Sequence, residues 1–155
     1  GDDGIDLVGI NSIDIDHVTL HGNADEGLEI DDSDTLRLNH ATVSNNADDG
    51  VDADDTREIL LNLVTATGNA SNGFQAEAQD FETELITVVN SLFAENGEDG
   101  IQIREDPSEV GDVILKSVVA RDNAKRGLDI AADTVTQTRV SSGIAEGNGE
   151  ADLLP

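Results

Sequence analysis

The chain lacks cysteine, methionine, tryptophan and tyrosine altogether, and carries only two prolines and three phenylalanines in 155 residues. Without cysteine there is no disulfide framework and no thiolate nucleophile, and the redox compartment leaves no mark. Without methionine, residue 1 is no natural translation start, and no signal peptide opens the chain, so the expectation is a mature or excised piece of a longer secreted protein. With no Trp or Tyr and 37% apolar residues, the core must be built from small aliphatics. No apolar run approaches the ~18 residues of a membrane span. Basic residues are scarce too: 8 Lys and Arg face 34 Asp and Glu, a formal charge of -26 that repels nucleic acid and anionic lipid and favours cations, metal ions foremost. Such a balance also marks disordered chains, but Ile, Leu and Val are too regularly placed here for that reading.

What is present is a repeat. The opening GDDGIDLVG (Gly1 to Gly9) matches most of a calcium-binding nonapeptide pattern, whose tandem step would be nine residues. Instead, a Gly followed by an apolar residue recurs at Gly4, Gly27, Gly50, Gly73, Gly100 and Gly127, in steps of 23, 23, 23, 27 and 27. The calcium-roll reading falls with that spacing. Four residues before each Gly from the second onward stands an Asn: Asn23, Asn46, Asn69, Asn96 and Asn123, with Asn148 continuing the series toward Asp152-Leu153.

Within each unit, stretches such as GLEID, GVDAD and GLDIA alternate apolar and polar residues, the period of a half-buried strand. Three short strands per unit follow, with inward pairs such as Leu28 and Ile30, Leu36 and Leu38, and Ala41 and Val43. The length changes fall between the first and second strands. A unit of this size cannot bury its apolar face alone, but stacked coils can, each position forming a ladder at the ~4.8 Å strand spacing. Phe74 and Phe93 share a coil with the small Ala76 and Ser91, consistent with constant core volume. The Asn and Gly of each unit are expected at a sharp corner, where tolerance of positive φ is useful, and stacked Asn side chains are expected to bond between coils.

The pattern N-x-x-x-G-[ILVF]-x-[ILA] resembles the right-handed parallel β-helix family, of pectate-lyase-like architecture, over nearly the whole chain. The resemblance implies one all-β domain over 1–155, a single-stranded solenoid of about six coils with three short strands per coil. Enzymes of that family bind acidic polysaccharide along the first sheet, with carboxylate-held calcium and an Arg or Lys as base for β-elimination.

Residues two and four after each Gly are expected to point outward, giving Asp6/Val8, Glu29/Asp31, Asp52/Asp54, Gln75/Glu77, Gln102/Arg104 and Asp129/Ala131. Asp25, Glu26, Asp48 and Asp49 flank this face on one side, Asp32 and Asp55 on the other. Two readings stand: a solvated acidic surface, or a calcium site drawn from Glu29, Asp31, Asp52, Asp54, Asp25 and Asp48. Arg104, the one basic residue on the face and the candidate catalytic base, lies two coils from Asp54, roughly 10 Å along the axis; Glu77 and Glu105 are its expected ion-pair partners. No loop of ~12 or more residues is available to wall a cleft. His17 and His40 fall at equivalent corner positions and should stack, with Leu63 and Asn90 next in their ladder and no third ligand from the repeat.

In the late coils an outward series runs Leu92, Val119, Ile144 where earlier coils have Thr19, Thr42 and Thr65. Either this is an apolar stripe, covering a neighbouring segment or making an oligomer contact, or the inward register shifts by one. Gly1 at the start and Leu153-Leu154-Pro155 at the end leave open coil edges, so the expectation is either a fragment cut from a longer β-helix or end-to-end association; the partner is then a polysaccharide or a second copy of the chain, met through the coil ends or the Leu92, Val119 and Ile144 stripe. Two function classes remain: a non-catalytic extracellular or cell-surface module, structural or adhesive, with calcium as cofactor; and a calcium-dependent lyase or epimerase acting on uronate polymers.

Overall fold

The computed structural model describes residues 2–80, 82–105, 109–131 and 137–152. They form three parallel six-stranded sheets wound as one solenoid, with six rungs per sheet and five complete returns from first rung to last. The first sheet stacks Ile5–Val8, Leu28–Asp31, Val51–Ala53, Phe74–Ala78, Ile101–Glu105 and Leu128–Ala131. The second stacks Ile13–Asp16, Thr35–Asn39, Glu58–Asn62, Thr83–Val89, Val110–Lys116 and Gln137–Ser141. Three-residue strands make the third, from Thr19–His21 through Thr42–Ser44, Thr65–Thr67, Leu92–Ala94 and Val119–Arg121 to Ile144–Glu146. No helix occurs among the described residues, so none is long and apolar enough to cross a membrane.

Because side chains alternate across a strand, the period-two pattern sends one set into the lumen of the coil. Leu28, Ile30, Leu36, Leu38 and Val43 are buried there, and the pattern repeats through Ile59, Leu61, Ile86, Val88, Val113 and Leu115. Phe74 and Phe93 are fully buried in one coil, beside Ala76 and Ser91. The register of the late coils is now fixed: Phe93 pairs with Ala66 on one side and Ala120 on the other, and all three face inward. Two alanine rungs leave the lumen room for the ring, so Leu92, Val119 and Ile144 form the outward stripe, in register with Thr65. Leu92 and Val119 are half-buried and Ile144 is exposed. Leu153–Pro155 lie outside the described residues, but Asp152 is placed: its Oδ1 accepts from the backbone N–H of Gly127 and Leu128, each at 3.0 Å.

The buried Asn ladder runs as expected. Each Oδ1 accepts both the backbone N–H and the Nδ2 of the Asn one coil earlier, as Asn69 does from Asn46 at 3.2 and 2.9 Å. The reason expected for the repeated Asn and Gly is corrected, however. None of these residues has a left-handed φ; those angles fall instead on three other corner series, such as Gly22, Asn45, Gly68 and Glu95 just before the Asn. The repeated Gly is required by close approach: a Cβ on Gly50 would lie 2.6 Å from the Gly73 carbonyl oxygen and 2.7 Å from Asn69 Nδ2. Stacked backbones and the Asn amide leave that space to hydrogen alone.

Candidate metal site on the first sheet

The outward positions of the first sheet align from coil to coil. One row reads Asp6, Glu29, Asp52, Gln75, Gln102, Asp129, each in direct register with the next. The adjacent row pairs Val8 with Asp31 and Glu77 with Arg104. Asp54 belongs to it, its N–H donating to the Ile30 carbonyl at 3.0 Å. The Ala131 side chain lies outside the described residues. Carboxyl groups thus fill the first three coils of the first row, amides the next two, and Asp129 the last.

Glu29, Asp31, Asp52 and Asp54 converge on one cleft of about 200 Å³, together with Asp32, Asp55, Gln79 and Asp80. The last two come from the coil that is four residues longer, whose short connection between Ala78 and Thr83 lines one side of the cleft. Asp55 holds them: its Oδ1 accepts from the N–H of Gln79 at 2.7 Å and of Asp80 at 2.9 Å, while Gln79 Nε2 donates to Asp54 Oδ2 at 3.2 Å. Asp54 Oδ1 also accepts from the Glu77 N–H at 2.9 Å. Gln75 Nε2 lies 3.4 Å from both oxygens of Asp52. The signal for Gln79 and Asp80 was the change of step from 23 to 27, which inserts residues beside this rung.

Burial under these neighbours strips water from the carboxylates. It pushes Asp52 up to about 10, with the charges of Asp54 and Asp49 adding to the shift, so that at neutral pH Asp52 is a neutral acid hydrogen-bonded to Asp54. Asp54, Glu29 and Asp31 are raised as well, by burial first and by neighbouring carboxylates after it. Oxygens of Asp31, Asp32 and Asp55 lie within 4.8 Å of one another.

The other sequence candidates, Asp25 and Asp48, stand apart at the turn that leads into the first strand. Asp25 gathers there with Asp3 and Glu26, again within 4.8 Å. Burial raises Glu26 to about 7, with Asp3, Asp25 and Asp48 adding, and raises Asp49 to about 6. The six candidates therefore divide into a cleft set of four and a turn set of two. All the donors are carboxylate oxygens, the hard ligands that calcium takes, and their unrelieved repulsion is what a dication would cancel.

Arg104 lies beyond this cleft, half-exposed, with its Nη2 3.8 Å from Asp129 Oδ2. The sequence named Glu77 and Glu105 as its partners and missed Asp129. That carboxylate is almost fully buried, also meets Arg126 Nη1 at 3.2 Å, and among the described residues its Oδ1 has no hydrogen-bond partner.

A family model described as a right handed beta helix region matches residues 3–153. No curated protein and no solved structure matches the chain.

Proposed function

The chain belongs to the right-handed β-helix family, and on that premise we propose that it is a non-catalytic extracellular or cell-surface module, structural or adhesive, that binds calcium on its first sheet. The observation that carries this reading is the cleft of Glu29, Asp31, Asp52 and Asp54, where carboxylates are stacked, desolvated and raised in pKa with no basic residue among its lining. Asp31, Asp32, Asp54 and Asp55 would hold the ion, with Asp52 joining as it gives up its proton. Such a site is weak until its carboxylates ionise, which suits the millimolar calcium outside cells better than the trace levels inside. Bound calcium with open coordination positions also offers a bridge to an acidic polysaccharide, which the bare face would repel.

The lyase or epimerase reading is less well supported. Arg104 is turned to Asp129, 3.8 Å away, and is not among the residues that line the acidic cleft, so it does not stand over the carboxylates that would hold a uronate's calcium. Sequence absences weigh the same way, since no Trp or Tyr is available as a sugar platform.

The test is thermal melting with millimolar calcium, magnesium or chelator. Calcium should raise the midpoint and Asp54→Asn should abolish the rise; a midpoint indifferent to calcium and chelator would sink the proposal. Turnover of polygalacturonate or alginate that disappears in Arg104→Ala would establish the enzyme instead.

A further inference from the structure

The corner between the second and third strands carries a left-handed residue in every coil: His17, His40, Leu63, Asn90, Ser117 and Ser142, with φ between 49° and 55°. Each repeats one rung above the last, so residues at this corner are stacked by the fold itself. His17 and His40 are the first two. Their rings are parallel within 12° and their centroids are 4.5 Å apart.

The residue before the corner completes the arrangement. Asp16 ends its strand beside the two rings, with Oδ2 2.9 Å from His17 Nδ1 and Oδ1 3.1 Å from His40 Nδ1. Both Nδ1 atoms are therefore turned to the same side, toward one carboxylate. The three donor atoms lie within 4.8 Å of one another, and all three side chains are at least 47% exposed, open to an arriving ion. The ladder of equivalent positions predicts the stacked imidazoles but holds no third ligand; that ligand comes from the preceding residue of the strand. His21 is not part of the group; it stands on the third sheet in register with Ser44.

We propose that Asp16, His17 and His40 form a binding site for a late divalent transition metal of the zinc and copper class. Two imidazole nitrogens and one carboxylate oxygen are a borderline-soft set that selects such ions over calcium. Metal on both Nδ1 atoms leaves each neutral ring with its proton on Nε2, and water fills the remaining positions. A tetrahedral ion bound at about 2.0 Å holds two nitrogens roughly 3.3 Å apart, so binding must tilt the stacked rings toward one another. Exposure of both side chains leaves that rotation free. The acidic cleft, with oxygen donors only, lies on the first sheet, so the two sites differ in place and in chemistry.

The test is calorimetric titration of the untagged chain with Zn²⁺, Cu²⁺ and Ni²⁺ in excess calcium, which occupies the carboxylates. One-to-one saturable binding of zinc or copper is expected, weakened about tenfold or more by His17→Asn and by His40→Asn. Asn suits the corner, since Asn90 already stands there at φ 53°. Leu63→His places a third imidazole on the next rung and should tighten binding, which keeps the test independent of a loss of fold. Unchanged affinity in the His17→Asn/His40→Asn double variant, or no saturable binding of any of the three ions, would overturn the proposal.

Discussion

Replacing Asp52 by Asn should stabilise the protein at neutral pH and weaken the growth of its calcium response with pH. Asp52 has an ordinary value of 3.8 and is pushed up to about 10 in the fold, so at pH 7 the unfolded chain is ionised there and the folded chain is not. The cost of taking up that proton is set by the distance from 3.8 to the working pH, not by how far above 7 the folded value lies. At about 1.36 kcal/mol per pH unit, the roughly three units to pH 7 amount to about 4 kcal/mol. Asn keeps the shape and never ionises, so it removes up to that cost; a gain of about 2–4 kcal/mol is expected, or a midpoint higher by roughly 5–15 °C. The sign follows from linkage. With the folded value above the unfolded one, the folded chain holds the extra proton, and wild-type stability falls as pH rises from about 4 toward the folded value. Glu26, raised to about 7, and Asp49, raised to about 6, push in the same direction. The difference between Asp52→Asn and wild type should therefore shrink toward zero near pH 4. Calcium competes with the proton, so its stabilisation of wild type should grow from pH 5 to pH 8, and grow less in the variant, which keeps Asp31, Asp32, Asp54 and Asp55 but cannot add a further carboxylate. Thermal and urea melts at pH 4, 5, 7 and 8, with calcium or chelator, measure all of this. An Asp52→Asn protein less stable than wild type at pH 7 without calcium, or a difference independent of pH, would refute the argument that Asp52 is a desolvated acid.

Three further outcomes follow from the coil geometry. Gly50→Ala should lower stability by about 3 kcal/mol, because the new Cβ meets the Gly73 carbonyl and the Asn69 amide and neither can move without breaking the stack; a urea melt reads it. Asn69→Ala leaves the N–H and Nδ2 of Asn46 without their acceptor in a buried ladder, and a loss of about 2–3 kcal/mol by chemical denaturation is expected; a loss below about 1 kcal/mol would mean that water replaces the amide. Leu63 holds a φ of 55° that costs a branched side chain about 1 kcal/mol, so Leu63→Asn, in line with Asn90, should recover roughly that amount in the thermal midpoint.

The repeat of 23 to 27 residues and the period-two alternation by themselves determine the solenoid, its three strands per coil and most of its lumen, because both are local and each coil restates them. Leu28, Leu36, Ile59 and Val88 are inward for that reason. The row from Asp6 to Asp129 was equally legible, since parallel stacking in register carries a position straight to its equivalent one coil on. Even the stacked His17 and His40 follow from counting alone.

What counting could not give depends on contacts between coils. Whether Leu92 or Phe93 turned inward rested on the room left by Ala66 and Ala120. The repeated Gly proved to answer a crowded neighbour rather than a backbone angle, a matter of ångströms across the stack. The cleft is completed by Gln79 and Asp80, which Asp55 holds in place, and burial there raises Asp52 above the ordinary carboxylate range. Asp16 joined the histidines through direction along the strand, which a ladder of equivalent positions does not contain. Sequence periodicity determined which residues share a face; desolvation and convergence, set by what packs over that face, belonged to the tertiary structure alone.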